Sequence, residues 1–254
     1  MEISIDKYLE RIGFAGEARA DAATLDQLQS RHLMSVPYEN IDILRGIPLD
    51  LDLAALYDKI VLRGRGGYCF ENNALFNWLL QRIGFETKSY FARFLLDEPE
   101  IPPRRHRVIR AWNPGEPEVS WLCDVGVGRE IPLYPMVIAE GYVREVRGVP
   151  YRMNFEPFFG WVLSYRWEGV WQKIYSFTEE EQLEVDYGFA NFWCQHAPES
   201  PFNKGYMAAL RTPGGKRTLN GNLYREYHAD RIEERVCDNG EIPEILRDRF
   251  GILV

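Results

Sequence analysis

Three residues of this 254-residue chain have the types and setting for nucleophilic catalysis: Cys69, His106 and Asp124. Cys69 sits in "RGRGGYCFENN", between a glycine-rich loop and the apolar-periodic run "CFENNALFNWLLQRIG". That places its thiol at or beside a helix N-terminus. Unpaired N–H groups and the helix dipole there carry positive potential and favour the thiolate, the nucleophilic form. Gly66 and Gly67 are expected to let the loop turn tightly and leave space on one side, with Arg63 and Arg65 adding positive charge. A base is needed next. His106 opens "HRVIRAW", which is followed by the turn residues "NPGEPE" and by "SWLCDVG". If the two runs pair as a hairpin, His106 and Asp124 are centred on Gly115 and share parity. They then face the same side as direct cross-strand partners, with Cβ atoms about 5 Å apart. A carboxylate holding an imidazole that faces a thiol is the arrangement covalent catalysis requires.

The elements that must position these groups follow from periodicity. "IDKYLERIG" places Ile5, Tyr8, Leu9 and Ile12 on one helical face and stops at Gly13; "TLDQLQSRHLM" is expected to open with Thr24 and Gln27 in capping-box spacing, with His32 at the edge of the core. A third helix starts at Asp52 as N-cap, and the Cys69 helix closes at Gly84. From Phe85 the texture becomes β-branched and aromatic, in runs broken by turn residues, and Glu168-Gly169 reads as a two-residue hairpin turn. Beyond about Asp186 the pattern is mixed and includes a glycine-rich basic loop, "RTPGGKRTLNG", and a final amphipathic helix, "EIPEILRDRFGI".

Composition bounds the rest. Thirty Lys and Arg against 38 Asp and Glu leave a net charge of −8, which argues against binding nucleic acid or an anionic membrane by bulk attraction. The amino terminus lacks a signal-peptide pattern and no apolar run is long enough to span a bilayer, so a cytoplasmic protein is expected. The four cysteines, Cys69, Cys123, Cys194 and Cys237, are too widely spaced to suggest a zinc site or a disulfide framework. No metal is expected.

Together these residues resemble the arylamine N-acetyltransferase family. "SVPYENIDI" is similar to its P-F-E-N segment, "RGRGGYCFENN" to its R-G-G-x-C-x-E-x-N signature, "HRV" to its catalytic histidine and "LCDVGVG" to its V-D-V-G-F-G; "YSFT", "HAPESPF" and "FGI" follow in order. The resemblance implies an α+β fold in three parts: an N-terminal helical bundle carrying the nucleophile (1–84), a central antiparallel β-barrel carrying the histidine and aspartate (85–190) and a C-terminal α/β lid (191–254). Its catalytic core is similar to that of papain-like cysteine enzymes.

The resemblance also implies the triad Cys69, His106 and Asp124, and acetyl-CoA as acyl-donor cosubstrate in a ping-pong cycle through an acetyl-cysteine. The acceptor is expected to be a small aromatic amine, hydrazine or hydroxylamine. For the donor it points to Gly126, Gly128 and Phe202, while the basic loop with Arg211, Lys216 and Arg217 is a candidate for CoA phosphate, Lys216 foremost. Acceptor-pocket candidates are Tyr38, Phe70, Phe94 and Val127. Tyr38 and Val127 stand where the family has phenylalanine; Val127 should open the pocket, which Phe94 refills in part. Glu39 and Asn40 are expected to brace the loop. Alternatives left open are an amide synthase that closes a macrolactam from a carrier-bound polyketide, a thiol hydrolase or transglutaminase, and a non-catalytic CoA-binding relative. The oligomeric state is open between monomer and homodimer.

Overall fold

The computed structural model describes residues 3–253, so the first two residues of the amino-terminal stretch lie outside it. Among the described residues seven α-helices run in chain order as α1 (Ile5–Arg11), α2 (Ala22–Ser35), α3 (Ile41–Leu44), α4 (Leu53–Tyr57), α5 (Cys69–Ile83), α6 (Tyr187–His196) and α7 (Ile242–Phe250). Between and after them lie β1 (Tyr38–Glu39), β2 (Glu86–Phe94), β3 (His106–Trp112), β4 (Ser120–Cys123), β5 (Met136–Val137), β6 (Val143–Val146), β7 (Val149–Glu156), β8 (Gly160–Trp167), β9 (Val170–Glu181), β10 (Met207–Thr212), β11 (Gly215–Asn220), β12 (Leu223–Tyr227) and β13 (Ile232–Val236).

Local signals explain most of the boundaries. Asp52 caps α4, its side chain accepting from the Ala54 N–H, and α5 ends at Gly84 in the left-handed region, φ 110°. Glu168 and Gly169 both take positive φ, 48° and 82°, the geometry of a tight turn between β8 and β9. Two helix starts differ from expectation. α2 is capped by Asp21, which accepts from the Thr24 N–H at 2.7 Å, rather than by Thr24 itself. α4 continues as a π-helical turn over Asp58–Leu62, which leaves Lys59 buried beneath the glycine-rich loop.

Strands β2–β9 form an eight-stranded antiparallel sheet in the order β5-β4-β3-β2-β9-β8-β7-β6, a nearly closed barrel open between β5 and β6. Helix α5 lies against it. Leu75 and Leu79 share one buried cluster with Tyr90, Val108 and Ala111, so the nucleophile's helix and the histidine's strand are fixed by a common core. A second, five-stranded antiparallel sheet has the order β1-β10-β11-β12-β13, with α7 packed on Ala208 and Leu219. The fold is therefore α+β. β1 belongs to the amino-terminal third of the chain and stitches it to the carboxy-terminal sheet, and α6 runs across position 190/191 rather than starting after it.

His32 is wholly buried, not at the core edge, and pairs through Nδ1 with the Tyr8 hydroxyl at 2.8 Å. Burial, with Arg11 nearby, pushes its pKa down to about 3. A depressed base stays neutral in the folded state while the unfolded chain takes up a proton below its ordinary value near 6.5. Stability is therefore complete above that value and is lost as pH falls toward 3. Chemical denaturation at about pH 5 should give about 2 kcal/mol less stability from this group than at neutral pH. His32→Gln should be less stable at neutral pH and lose that part of the pH slope; an unchanged slope would contradict the assignment.

Candidate active site

The loop ahead of Cys69 is held by a buried ionic network. Arg65 donates to Glu39 at 2.7 and 3.0 Å and to Asp42 at 3.1 Å. Lys59 reaches Asp42 and Glu71, each at 2.7 Å. The free oxygen of Glu71 accepts the Tyr68 N–H at 3.1 Å, so the first turn of α5 is tied to the network. Three carboxyl groups face two cations, and burial lifts the pKa of Glu71.

This arrangement corrects two expectations. Arg65 is consumed by carboxylates, and Arg63 is paired with Asp58 at the surface, so neither supplies free positive charge to Cys69. Nor do the glycines leave open space. A Cβ at Gly66 would lie 1.9 Å from the Pro37 carbonyl oxygen, and one at Gly67 would lie 2.8 Å from the Glu71 Cβ. They permit close packing against the Pro37–Glu39 segment, where the Glu39 N–H donates to the Gly67 carbonyl. Glu39 thus braces the loop as expected, whereas Asn40 ties the amino-terminal third to the carboxy-terminal part by donating to the Phe202 and Gly205 carbonyls and accepting from the Met207 N–H.

His106 Nε2 and Asp124 Oδ2 lie 2.7 Å apart and both residues are buried. The route to that contact differs from direct cross-strand pairing. β3 and β4 pair Ile109 with Cys123 and Trp112 with Ser120, a register centred on Glu116 rather than Gly115. Asp124 lies just past the end of β4, two positions out of register with His106. Parity is preserved, so the two side chains still face the same side as diagonal neighbours. The other carboxylate oxygen, Oδ1, accepts the Asn73 side-chain N–H and the Gly126 N–H, each at 2.9 Å. The Asp124 N–H donates to the Gln29 side chain at 3.1 Å. Both carboxylate oxygens are therefore engaged and the imidazole is oriented through Nε2, leaving Nδ1 as the nitrogen for a second partner. The ring packs edge-on against Phe94 and beside Tyr175.

Asn73, Gln29 and Tyr175 also touch this pair and are not among the candidates that the sequence offers. Asn73 had a signal: four residues after Cys69 on a helix it shares that face, and its side chain also donates to the Arg107 carbonyl at 2.7 Å, clamping α5 to β3. Gln29 and Tyr175 are distant in the chain and carried none.

Cys69 is the first residue of α5 and buried, and its thiol lies 3.7 Å from the Arg105 carbonyl oxygen. Burial pushes its pKa well above the ordinary thiol value, the charges of Cys194 and Asp124 push the same way, and N–H groups of Arg107 and Phe70 oppose them. The helix terminus alone does not hold this thiol ionised. His106 lines the same cleft, together with the cations Arg105, Arg129, Lys216 and Arg225, each of which is paired with a carboxylate.

That cleft has a volume of about 500 Å³ and is walled by both sheets. Besides Cys69 and His106 it takes in Tyr38, Phe94, Gly126, Val127, Gly128, Phe202 and Lys216, so these expected positions converge on one space. Gly126 and Gly128 have steric reasons to be glycine. A Cβ on the first would sit 2.6 Å from the Cys69 Cα, and one on the second 2.6 Å from the Tyr38 ring. Phe70 does not reach the cleft. One residue on from Cys69 it points the other way, into a buried aromatic group with Tyr68, Phe91 and Tyr187.

The basic segment is also not a free loop. β10 and β11 form a hairpin in which Arg211 pairs with Lys216, and both cations face Glu130, Lys216 at 2.9 Å. Arg217 pairs with Glu226. Lys216 thus lies at the cleft wall paired with Glu130, a carboxylate it shares with Arg211. Among the described residues, no group of three or more His, Cys, Asp and Glu could hold a metal ion, and no helix is long and apolar enough to cross a membrane.

An N-acetyltransferase family model matches residues 21–254. The chain is 32% identical to an arylamine N-acetyltransferase of Mycobacterium tuberculosis over all of its own length and 91% of the relative's. It is 33% identical to an arylamine N-acetyltransferase / N-hydroxyarylamine O-acetyltransferase of Salmonella typhimurium over 90% of this chain and 83% of the other. Among solved structures, the M. tuberculosis arylamine N-acetyltransferase superposes with a TM-score of 0.92 at 31% identity, covering 98% of this chain and 94% of that one. The Mycobacterium marinum arylamine N-acetyltransferase in complex with CoA superposes with a TM-score of 0.91 at 30% identity, covering 98% and 93%. By sequence over its full length and by fold, the chain belongs to the arylamine N-acetyltransferase family.

Proposed function

We propose that this protein acetylates arylamines, arylhydrazines and arylhydroxylamines from acetyl-CoA in a ping-pong cycle on Cys69, with His106 as proton carrier and Asp124 as its orienting group. The observation that carries the reading is the Asp124-held imidazole sharing one cleft with a thiol at a helix start, in a chain with relatives named for this activity.

In the first half-reaction the Cys69 proton passes to His106 and the thiolate attacks the thioester carbonyl. The carbon–sulfur bond to Cys69 forms, the one to CoA breaks, and His106 returns the proton to the departing CoA thiolate. In the second half, the acceptor nitrogen attacks the acetyl-cysteine while His106 takes its proton and the Cys69 sulfur leaves. No step needs a metal.

Phe202, Gly126 and Gly128 border the donor's approach, and Tyr38, Phe94 and Val127 shape the acceptor side. Lys216 meets CoA phosphate only by releasing Glu130 in part. A cytoplasmic location fits such a reaction, since acetyl-CoA is an intracellular metabolite.

Intact-protein mass spectrometry tests the reading. Acetyl-CoA alone should add one acetyl group, absent in Cys69→Ala, and a simple aniline or hydrazide should then remove it with stoichiometric N-acetyl product. An unmodified protein that only retains CoA would refute it, as would an adduct lost to water as fast as to amine.

A further inference from the structure

β13 is the outer strand of the five-stranded sheet, and all five of its residues, Ile232-Glu233-Glu234-Arg235-Val236, are exposed. Two are large and apolar, Ile232 at 58% and Val236 at 71% exposure. An edge strand with both faces in solvent and apolar residues at both ends is a template for a further strand.

The direction of its main-chain groups follows from the hairpin with β12. The His228 N–H donates to the Arg231 carbonyl and the Cys237 N–H to the Asn222 carbonyl, each at 2.8 Å. Both belong to the same register that pairs Tyr224 with Arg235 and Glu226 with Glu233. In an antiparallel ladder hydrogen-bonded pairs alternate, so residues 231, 233, 235 and 237 bond inward. Ile232, Glu234 and Val236 therefore each turn one N–H and one C=O outward.

We propose that β13 is a homodimerisation strand, pairing antiparallel with β13 of a second copy of this chain across a two-fold axis at Glu234. In that register Ile232 faces Val236 of the other copy, Glu234 faces its counterpart, and all six outward groups of each strand find partners. The non-hydrogen-bonded positions, where side chains approach closest, put Glu233 opposite Arg235 twice, once on each side of the axis.

The strand is thus self-complementary in hydrogen bonding, in apolar ends and in charge. The like charges on the axis are already compensated, because each Glu234 carboxylate accepts from Arg225 of its own chain at 3.0 Å. The present partners of Glu233 and Arg235, Arg231 and Glu241, form exposed pairs of little energy and exchange readily. One five-residue strand buries less than a standard interface, so the dimer is weak and concentration-dependent.

Sedimentation velocity over a concentration series tests this on the full chain. Wild type should pass from monomer to dimer. Arg235→Glu and Glu233→Arg should each weaken association by roughly tenfold, since each turns two attractive pairs repulsive. An equimolar mixture of the two variants should recover it as a heterodimer, which also shows that both fold. Glu234→Pro, which removes only an outward N–H, should abolish it. A wild type that stays monomeric throughout, a dimer indifferent to Arg235→Glu and Glu234→Pro, or a mixture that fails to recover would each overturn the proposal.

Discussion

His106→Ala, mixed with acetyl-CoA at neutral pH, should acquire its acetyl adduct about 10³-fold or more slowly than wild type. The size of the effect follows from the thiol's surroundings. Burial pushes Cys69 well above the ordinary thiol range and the nearby Asp124 carboxylate adds to the rise. The N–H groups of Phe70 and Arg107 only partly offset that. Without an acceptor for its proton, the sulfur stays a neutral and poor nucleophile. Removing the ring should not unfold the protein, because β3 remains anchored by Val108 and Ile109 in the core. Stopped-flow or quenched mass analysis of the acylation phase checks this, with CoA binding measured separately. Near-normal acylation in this variant would place the base elsewhere.

The second large effect is expected at Asp124. Asp124→Asn keeps the shape but exchanges a carboxylate oxygen for an amide that can donate, so the imidazole loses its charged partner at Nε2. The acylation rate should fall about 10³-fold or more while acetyl-CoA binding changes little. Part of the loss comes from crowding of donors. Asn73 and the Gly126 N–H both donate to Asp124 Oδ1, so an amide can meet them with only one oxygen and must turn its NH2 toward the histidine. That forces the ring to accept at Nε2 and carry its proton on Nδ1, the wrong tautomer for a base. Retained activity would mean that the pair serves only as packing.

The parts of this site that could be read from the chain are those encoded locally. Cys69 at a helix start rests on a glycine-bounded apolar period within twenty residues, and the strand of His106 on a β-branched run. His106 and Asp124 meet although the strands pair in a register centred on Glu116 rather than Gly115. The connection is centred on Glu116, one residue later than "PGEP" suggests, because two consecutive turns make it: the Glu116 N–H donates to the Asn113 carbonyl and the Val119 N–H to the Glu116 carbonyl. A shift of one residue in the centre moves partners by two positions, which keeps them on one face; an odd displacement would have separated them.

Long-range pairing was not legible. Arg65 and Lys216 looked free because Glu39, Asp42 and Glu130 lie far away in sequence. The segment read as a glycine-rich loop is a hairpin whose Pro213-Gly214 turn is flanked by paired strands. Phe70 illustrates the limit of adjacency, since neighbours on a helix point about 100° apart and one residue's access to a cleft says nothing of the next.

The central claim is that Cys69 is ionised by giving its proton to His106, not by the helix terminus or by neighbouring arginines. The rate of Cys69 alkylation by a small haloacetamide as a function of pH measures this most directly, with Cys69→Ala correcting for the other cysteines. The wild type should react rapidly well below the ordinary thiol pKa. In His106→Ala the same limb should move above that value, where burial holds the isolated thiol. Coincident profiles for the two proteins, or a wild-type sulfur inert until strongly alkaline pH, would contradict the account.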